Sequence, residues 1–445
     1  MRSINYFILI TLSFFVVSAC EDDSASNPVF GDSDVPAIFV QWEANMALSV
    51  DDTIKINPQV SPGDDVTYKW IFNGTVVSTE KDLAYKVTEP GEFTLNYEIE
   101  RNGVKNSRTS TVLVVKPFEP KAYNKMSVAW LSINGSIADV PWNDITHLVL
   151  SSSVIQANGS PDLTFGGSTL DISTLVSTAH NYGVYILLEY SGVLGSYLNA
   201  SPAYASYNFY TIAINPEGRK TLITSMVNFA LSSGFDGINI YMDKASESGA
   251  FQNTEQLRAF YEEMAAAVPD ETSRGNFYLS MSVVSGWTKG ALNAVVNTPG
   301  YDWVNVLAFN ATDLSPIPHA PAWLSSDDCA YWVSMGVLPE QIVLAAPAFG
   351  VKYAADLTGI NWGNWDSYAQ YLSYKAICNQ YPDAPSSDQI SDNGTLFYNG
   401  LGTIEAKANL VISQGYAGMA LWTVEHDSKE SGKSLMKKIN ITLGN

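Results

Sequence analysis

Cysteine and histidine are scarce in this sequence, which has three cysteines and four histidines among 445 residues. None of them has the close spacing that zinc sites use, so there is no metal-site signature. A glycine-rich phosphate loop and a G-x-S-x-G nucleophile motif are also absent. We therefore expect no metal and no other cofactor. Cys329 and Cys378 could pair in an oxidising compartment or could be two buried free thiols.

Basic residues are also few, since 24 Lys and Arg stand against 45 Asp and Glu and give a net charge of −21. A surface of this sign repels phosphate backbones, which makes nucleic acid a poor candidate partner. Neutral glycans remain compatible with it. Aromatic residues are abundant by contrast, at 12% of the chain.

The apolar run at the N-terminus, residues 6–17, is too short to span a bilayer. With Arg2 before it and small residues after it, it has the form of a signal peptide over residues 1–20. The V-S-A-C segment ending at Cys20 resembles a bacterial lipobox, which implies a lipid on Cys20; a plain secretory signal is the alternative. The acidic residues 21–23 resemble the tag of some surface lipoproteins. We expect a lipoprotein anchored through Cys20 on the outer face of the cell outer membrane.

Composition divides the rest of the chain into segments. Residues 21–34 are rich in Ser, Asp, Asn and Pro, which indicates a flexible tether. Residues 35–115 contain short alternating runs with turn signals, including the hairpin dipeptide of Asn73 and Gly74. This region resembles the PKD modules, immunoglobulin-like sandwiches that serve as spacers on bacterial surface proteins, and we expect it to bind no ligand. Residues 116–120 are the predicted linker.

Apolar strand-like runs alternate with helical patterns over residues 121–445, which favours βα units around a parallel sheet. The clearest helix covers residues 255–268, where Leu257, Phe260 and Met264 share one face. We therefore expect an α/β fold, a (β/α)8 TIM barrel preceded by a small all-β immunoglobulin-like sandwich. The candidate strands are residues 127–131, 147–151, 185–188, 237–241, 278–283, 303–308, 342–346 and 418–422.

The fourth candidate strand carries an unusual polar row. Period-two geometry sets Asn239, Tyr241 and Asp243 on one face. Parallel strands buried on both faces usually consist of continuous apolar residues, so this row indicates a face that meets a ligand. An ordinary barrel strand with a few solvated polar positions is the alternative.

Residues 236–243 resemble the D-G-x-D-x-D-x-E strand of family 18 glycoside hydrolases, the chitinases and endo-N-acetylglucosaminidases. Asp236 keeps the first acid, but the second falls on Asn239, the third on Tyr241 and the catalytic Glu on Asp243. In the family that Glu protonates the leaving oxygen, and the third acid orients the substrate acetamide, which is the nucleophile. Asp243 is one methylene shorter than Glu, and the Tyr241 phenol is neutral at pH 7. The resemblance therefore implies a degenerate catalytic motif.

The resemblance extends over the whole barrel. The family's third strand carries S-x-G-G, and the corresponding residues here depart from it at Glu189 and Tyr190. At the M-x-Y-D position Phe309 replaces the Tyr that holds the acetamide carbonyl, and Asn310 replaces the Asp. Trp422 is retained where the eighth strand places the floor beneath the sugar. These departures imply that the normal mechanism is lost, since each missing donor or acid costs transition-state stabilisation.

Aromatic and amide groups remain near the expected carboxyl ends of the strands, the face where barrels bind ligands. Flat rings cover the C–H faces of sugars and amides bond their hydroxyls, which gives affinity without turnover. The expected glycan-binding residues are Trp422, Tyr241, Asp243, Asn239, Phe309, Asn310, Tyr190, Glu189, Trp130 and Trp287, with Trp362 and Trp365 in an insertion after the seventh strand.

Three interpretations remain open. The favoured one is a non-catalytic, lipid-anchored surface protein that captures oligosaccharides or polysaccharides for neighbouring surface glycosidases and a glycan transporter. The second is a glycoside hydrolase with altered chemistry, in which Asp243 is the general acid and Glu189 or Glu425 is the base or nucleophile. The third is a structural surface protein with an unused barrel.

Overall fold

The computed structural model of this chain describes residues 35–39, 42–115, 118–152, 168–194, 213–245, 254–268 and 277–445. The chain divides into two compact units between Pro117 and Phe118. The predicted signal peptide, the lipid site at Cys20 and the tether of residues 21–34 lie outside the described residues. Within the described segments, no helix is both long enough and apolar enough to cross a membrane.

The N-terminal unit is all-β, as predicted. Its strands are β1 (Ala37–Ile38), β2 (Asn45–Ser49), β3 (Thr53–Ile56), β4 (Val60–Ser61), β5 (Val66–Phe72), β6 (Thr75–Ser78), β7 (Leu83–Lys86), β8 (Gly91–Arg101) and β9 (Val104–Val115). A five-stranded sheet has the order β2-β9-β8-β5-β6, while β3 pairs with β7 and β1 with β4. Asn73 and Gly74 join β5 to β6 with φ of 47° and 79°, the positive values of a tight hairpin turn. Trp70 is fully buried and stacks on Tyr97, with ring centroids 4.1 Å apart.

The C-terminal unit contains a closed barrel and an inserted sheet. Its strands are β10 (Met126–Ser132), β11 (His147–Ser152), β12 (Tyr185–Leu194), β13 (Gly237–Ala245), β14 (Tyr278–Val284), β15 (Trp303–Leu307), β16 (Ile342–Pro347), β17 (Phe349–Ala354), β18 (Ala369–Ser373), β19 (Gln389–Ser391), β20 (Gly394–Phe397) and β21 (Gly418–Trp422). The first seven and β21 pair in parallel around the barrel. All the predicted barrel strands are present, so the predicted TIM barrel is confirmed. β17 to β20 form an antiparallel sheet inserted before β21.

Helices cover the outside of the barrel strands. The described helices are α1 (Ile172–Asn181), α2 (Pro216–Ser232), α3 (Thr254–Ala267), α4 (Ala322–Ser334), α5 (Tyr374–Gln380), α6 (Leu401–Ser413) and α7 (Leu435–Thr442). α3 is the helix predicted over residues 255–268, and its apolar face of Leu257, Phe260 and Met264 is fully buried. These residues belong to the same core as the outward-facing strand side chains, so the stripe packs the helix onto the barrel.

Alternation along each strand divides the barrel side chains between two cores. On β12, Leu187 belongs to the cluster inside the barrel, with Trp130 and Val149, whereas Leu188 belongs to the cluster between strands and helices. The same alternation decides which later residues of β12 face inward. It therefore controls which predicted site residues can reach the barrel mouth.

Cys329 on α4 and Cys378 on α5 are both buried and free. Of the two alternatives left open by their spacing, the structure shows the unpaired thiols. Burial raises the pKa of Cys329 to about 12, so this thiol is protonated and unreactive at neutral pH.

Candidate functional site

The site lies at the carboxyl end of β21, where Trp422 borders a depression of about 380 Å³. This volume is within the range of small-molecule binding sites. Asn310 and His426 are exposed at its edge and can bond a ligand. The residues that line the depression are Asn310, Phe349, Tyr371, Leu372, Ser373, Trp422 and His426.

Three aromatic rings surround Trp422, and we call the four residues the aromatic floor. The Trp422 ring centroid lies 5.4 Å from that of Trp130, 5.7 Å from Tyr241 and 6.3 Å from Phe309. All three pairs have the tilted or edge-to-face geometry that aromatic rings prefer. Trp422 and Tyr241 are partly exposed, whereas Trp130 and Phe309 are buried. The structure thus brings these four predicted residues together and leaves Trp422 and Tyr241 as the members open to a ligand.

Glu189 lies inside the barrel and is fully buried. Its Oε2 accepts hydrogen bonds from Trp130 Nε1 and Asn239 Nδ2, both at 2.8 Å, and its Oε1 accepts from Ser151 Oγ at 2.7 Å. A carboxylate enclosed in this way cannot contact a ligand in the depression. The prediction that Glu189 binds glycan directly is therefore wrong, whereas its predicted role as a base or nucleophile stays a prediction.

Asn239 is also fully buried, and its amide is saturated. Its Oδ1 accepts from Ser280 Oγ at 2.8 Å and from Asn305 Nδ2 at 3.0 Å. Its Nδ2 donates to Glu189 and to Ser282 Oγ, the latter at 3.0 Å. Asn239 lies two residues below Tyr241 on β13, deeper in the barrel, so it supports the floor and does not bond sugar hydroxyls as predicted.

Tyr190 faces away from the barrel interior, which corrects the prediction that it contacts the ligand. It follows Glu189 on β12, so period-two alternation points it outward. The ring is fully buried between strands and helices, and its hydroxyl donates to the Met226 carbonyl oxygen on α2 at 3.0 Å. Tyr190 is therefore part of the outer core.

The two tryptophans of the insertion have different environments. Trp365 is 8% exposed, packs with Tyr353 and Phe397, and donates from Nε1 to the Asp313 carbonyl oxygen at 3.0 Å. It is a core residue of the inserted sheet, so its prediction as a platform residue is wrong. Trp362 is 63% exposed and keeps the surface that a ligand contact needs.

Asp236, the retained first acid of the motif, lies just before β13 at the amino end of the barrel. Its carboxylate accepts from the Ile186 backbone N–H at 2.8 Å and lies 3.0 Å from His180 Nε2. These contacts tie β12 and α1 to the start of β13. Asp236 is thus a structural residue at the end opposite the mouth.

The loop after β15 carries Phe309 and Asn310 and is anchored by a buried lysine. Lys407 Nζ donates to the Ala320 carbonyl oxygen and to Asn399 Oδ1, both at 2.9 Å. Burial lowers the pKa of Lys407 to about 7. Asn310 has φ of 65°, a left-handed conformation that asparagine adopts more readily than most residues.

Two predicted residues stay untested. The backbone of β13 continues through Asp243 to its end at Ala245, and Trp287 begins a short 3₁₀ helix after β14. The side chains of Asp243 and Trp287 lie outside the described part of the chain. Their contribution to the site remains a prediction.

Glu425 follows β21 near the mouth. Its Oε1 accepts from the Ser132 backbone N–H at 3.2 Å, and its Oε2 is enclosed with no hydrogen-bond partner among the described residues. Of the two partners predicted for Asp243, Glu425 is therefore the one with an unoccupied carboxylate oxygen.

Sequence reasoning missed two aromatic residues of the depression. Tyr371 on β18 is 51% exposed, and its ring lies 5.5 Å from that of Phe349 on β17. Phe349 in turn lies 5.9 Å from Phe309, which connects the inserted sheet to the aromatic floor. No local motif marks Tyr371, because its position depends on how the inserted strands pair.

Comparison with known proteins agrees with this architecture. The family model described as Glycosyl hydrolases family 18 matches residues 123–427, and a PKD-like domain model matches residues 36–101. Chitinase 1 of Aphanocladium album is 24% identical to this chain over 350 residues, which cover 69% of this chain and 81% of that protein.

Solved structures have the same barrel. A chitinase from Bacteroides thetaiotaomicron aligns with a TM-score of 0.57 at 20% identity, over 72% of this chain and 96% of that one. A chitinase-like agglutinin from Robinia pseudoacacia aligns with a TM-score of 0.56 at 19% identity, over 72% of this chain and 100% of that one. At these identities the likeness shows the fold alone.

Among the residues with described positions, no group of His, Cys, Asp or Glu could hold a metal ion.

Proposed function

Because this chain belongs to family 18 of the glycosyl hydrolases, we propose that it binds oligosaccharides at the mouth of its barrel and does not cleave them. The ligand lies against the exposed ring of Trp422, with Tyr241 beside it. Asn310, Ser373 and His426 offer polar groups around the same depression. Aromatic stacking on the sugar together with a few bonds to its hydroxyls is sufficient for affinity.

The main support for this proposal is that Asn239 and Tyr241 stand where the family motif has its second and third acids. Asn239 is a saturated, buried amide, and Tyr241 contributes a ring to the aromatic floor. Neither can stabilise the positive charge that develops on a sugar ring during cleavage. Phe309 also lacks the hydroxyl that holds the acetamide in the family. Losing one such group typically costs about 3 kcal/mol of transition-state stabilisation, so several losses leave binding as the main function.

The structural neighbour from Robinia pseudoacacia supports a binding role, since it has the same fold and is named a chitinase-like agglutinin. The selectivity for an N-acetyl group depends in the family on the Tyr and Asp replaced here by Phe309 and Tyr241. The proposed ligand is therefore a neutral oligosaccharide or polysaccharide that need not contain N-acetylglucosamine.

We place the protein on the outer face of the outer membrane, held by a lipid on Cys20. The V-S-A-C segment and the acidic residues 21–23 support this location. The PKD-like unit, residues 36–101, then serves as a spacer. The proposed partners are surface glycosidases that shorten the captured glycan and a transporter that takes it up.

Hydrolysis is the second candidate function, and the chitinases among the relatives favour it. In that case Asp243 is the general acid. Glu425, with one unoccupied carboxylate oxygen, is its candidate partner, because Glu189 is buried and fully engaged.

The test measures binding and product release together. The purified protein is incubated with chitooligosaccharides, N-glycans and other β-glycans, while calorimetry records affinity and chromatography records products. We expect binding without products, and weaker binding in Trp422→Ala. Trp323→Ala is the matched control, because Trp323 is also an exposed tryptophan, at 62%, but does not line the depression. Turnover that Asp243→Asn abolishes would establish hydrolysis instead, and no binding to any glycan would refute the proposal.

A further inference from the structure

We propose that Glu189 is the positioning residue of the aromatic floor: it holds Trp130, and through Trp130 it sets the orientation of Trp422. Both Glu189 and Trp130 are fully buried, so they act on a ligand only through the exposed ring. The expected effect on glycan affinity rests on the proposed function, whereas the expected effect on the packing of Trp130 and Trp422 does not.

The Glu189 carboxylate on β12 accepts hydrogen bonds from three other barrel strands. Oε2 is shared by Trp130 Nε1 from β10 and Asn239 Nδ2 from β13, and Oε1 is bound by Ser151 Oγ from β11. A buried carboxylate is tolerated only when hydrogen bonds replace its lost hydration. A hydrogen bond weakens steeply when its donor and acceptor are misaligned. The Trp130 indole is therefore held in one orientation.

Trp130 passes this constraint to the floor by packing. Its ring lies 5.4 Å from that of Trp422 at an interplanar angle of 40°. Protein interiors have almost no free volume, so a rotated Trp130 would have to displace its neighbour. Tyr241 also contacts Trp422 and lies two residues beyond Asn239 on β13. Both routes from Glu189 thus lead to the ring that faces the ligand.

Removing the carboxylate would leave two buried donors without this acceptor. Glu189 and Asn239 are direct partners in the register of β12 and β13, and without Glu189 the Asn239 Nδ2 keeps only its bond to Ser282 Oγ. Among the described residues, Glu189 is the acceptor that the structure gives Trp130 Nε1. Glu189→Ala therefore forces the floor to rearrange.

Glu189→Gln distinguishes a positioning role from proton chemistry. The amide oxygen of this variant can accept from Trp130 and Asn239, while its amide nitrogen donates to the Ser151 hydroxyl, which rotates to accept. The geometry is kept, while the amide can neither take up nor release a proton in the way a carboxyl group can. A positioning residue tolerates this change, whereas a base or nucleophile does not.

The experiment compares the full chain with Glu189→Gln and Glu189→Ala by near-ultraviolet circular dichroism, which reports the packing of tryptophan rings, and by glycan affinity below the unfolding temperature. We expect Glu189→Gln to retain the wild-type spectrum and an affinity within about twofold. We expect Glu189→Ala to lose tryptophan signal and to bind about tenfold more weakly, the size seen when orienting groups around metal ligands are removed. If Glu189→Ala does not fold, Trp130→Phe, which keeps a ring but cannot bond Glu189, should show the same loss of affinity.

Arg219→Met is the control for general destabilisation. Arg219 is buried on α2 and pairs with Glu263 on α3 at 2.6 Å, outside the barrel, so its loss weakens the fold without touching the floor. Arg219→Met should leave the near-ultraviolet circular dichroism spectrum and the glycan affinity unchanged. A wild-type spectrum in Glu189→Ala, or equal damage in Glu189→Gln and Glu189→Ala, would overturn the inference. If wild type binds no glycan, the proposed function fails, but the spectra still decide the role of Glu189.

Discussion

The ring of Tyr241 meets that of Trp422 edge to face, with centroids 5.7 Å apart and an interplanar angle of 74°. Tyr241 stands where the family has the acid that orients the acetamide. Under the proposed function, an aromatic ring that supports the stacking surface takes the place of a charged group at this position. Under that function the ring favours affinity over turnover, because an aromatic contact strengthens binding to substrate and transition state alike.

Tyr241→Ala is expected to weaken glycan binding roughly fivefold, since an aromatic pair contributes about 1 kcal/mol beyond its buried area. Tyr241→Phe keeps the ring and should change affinity less than Tyr241→Ala. Calorimetric titration with the best ligand measures both. Equal losses in the two variants would show that the hydroxyl, and not the ring, makes the contact.

The two tryptophans of the insertion should respond in opposite ways. Trp365→Ala should lower the free energy of unfolding by about 3 to 5 kcal/mol, because it empties a core position and removes the bond to Asp313. Trp362→Ala should stay within about 0.5 kcal/mol of wild type, as surface substitutions usually do. Urea unfolding measures both. Similar stability losses would contradict the assignment of Trp365 to the core and Trp362 to the surface.

Stability should rise with pH above neutrality because of Lys407. Its pKa is about 7 in the folded protein against an ordinary value of 10.5. Between these values the unfolded chain binds a proton that the folded chain does not, so protons favour unfolding and the free energy of unfolding increases as pH rises through this window. Unfolding midpoints in urea at about pH 7.5 and about pH 9.5 should show the increase.

Lys407→Met should flatten that pH dependence, since methionine does not titrate. Lys220, exposed on α2, provides the matched control, and Lys220→Met should keep the wild-type slope. If Lys407→Met retains the full increase with pH, another group causes it.

The barrel could be predicted in detail from the sequence, because alternating and continuous apolar runs reflect local strand geometry. The site could be predicted only in part. Trp422, Tyr241, Trp130 and Phe309 do converge, since carboxyl ends of parallel strands meet at one mouth. Tyr190 does not reach that mouth, because it is adjacent to the inward-facing Glu189 on β12 and neighbouring residues on a strand face opposite sides. The polar network of Glu189 had no signal in the sequence, because its donors come from separate strands.

Residue identity and short spacing were enough to predict the barrel strands and the family, because both leave local patterns in the sequence. The depth of each side chain at the mouth depends instead on the three-dimensional fold. Barrel closure placed Glu189 beneath the floor and Tyr190 in the outer core, and the pairing of the inserted strands buried Trp365 while bringing Tyr371 to the depression. Closure of the barrel and pairing of the inserted strands bring together residues that are far apart in the chain. The local sequence pattern therefore does not show how deeply each of these side chains is buried. Trp422 is partly exposed at the mouth, whereas the Glu189 carboxylate that bonds its neighbour Trp130 is fully buried.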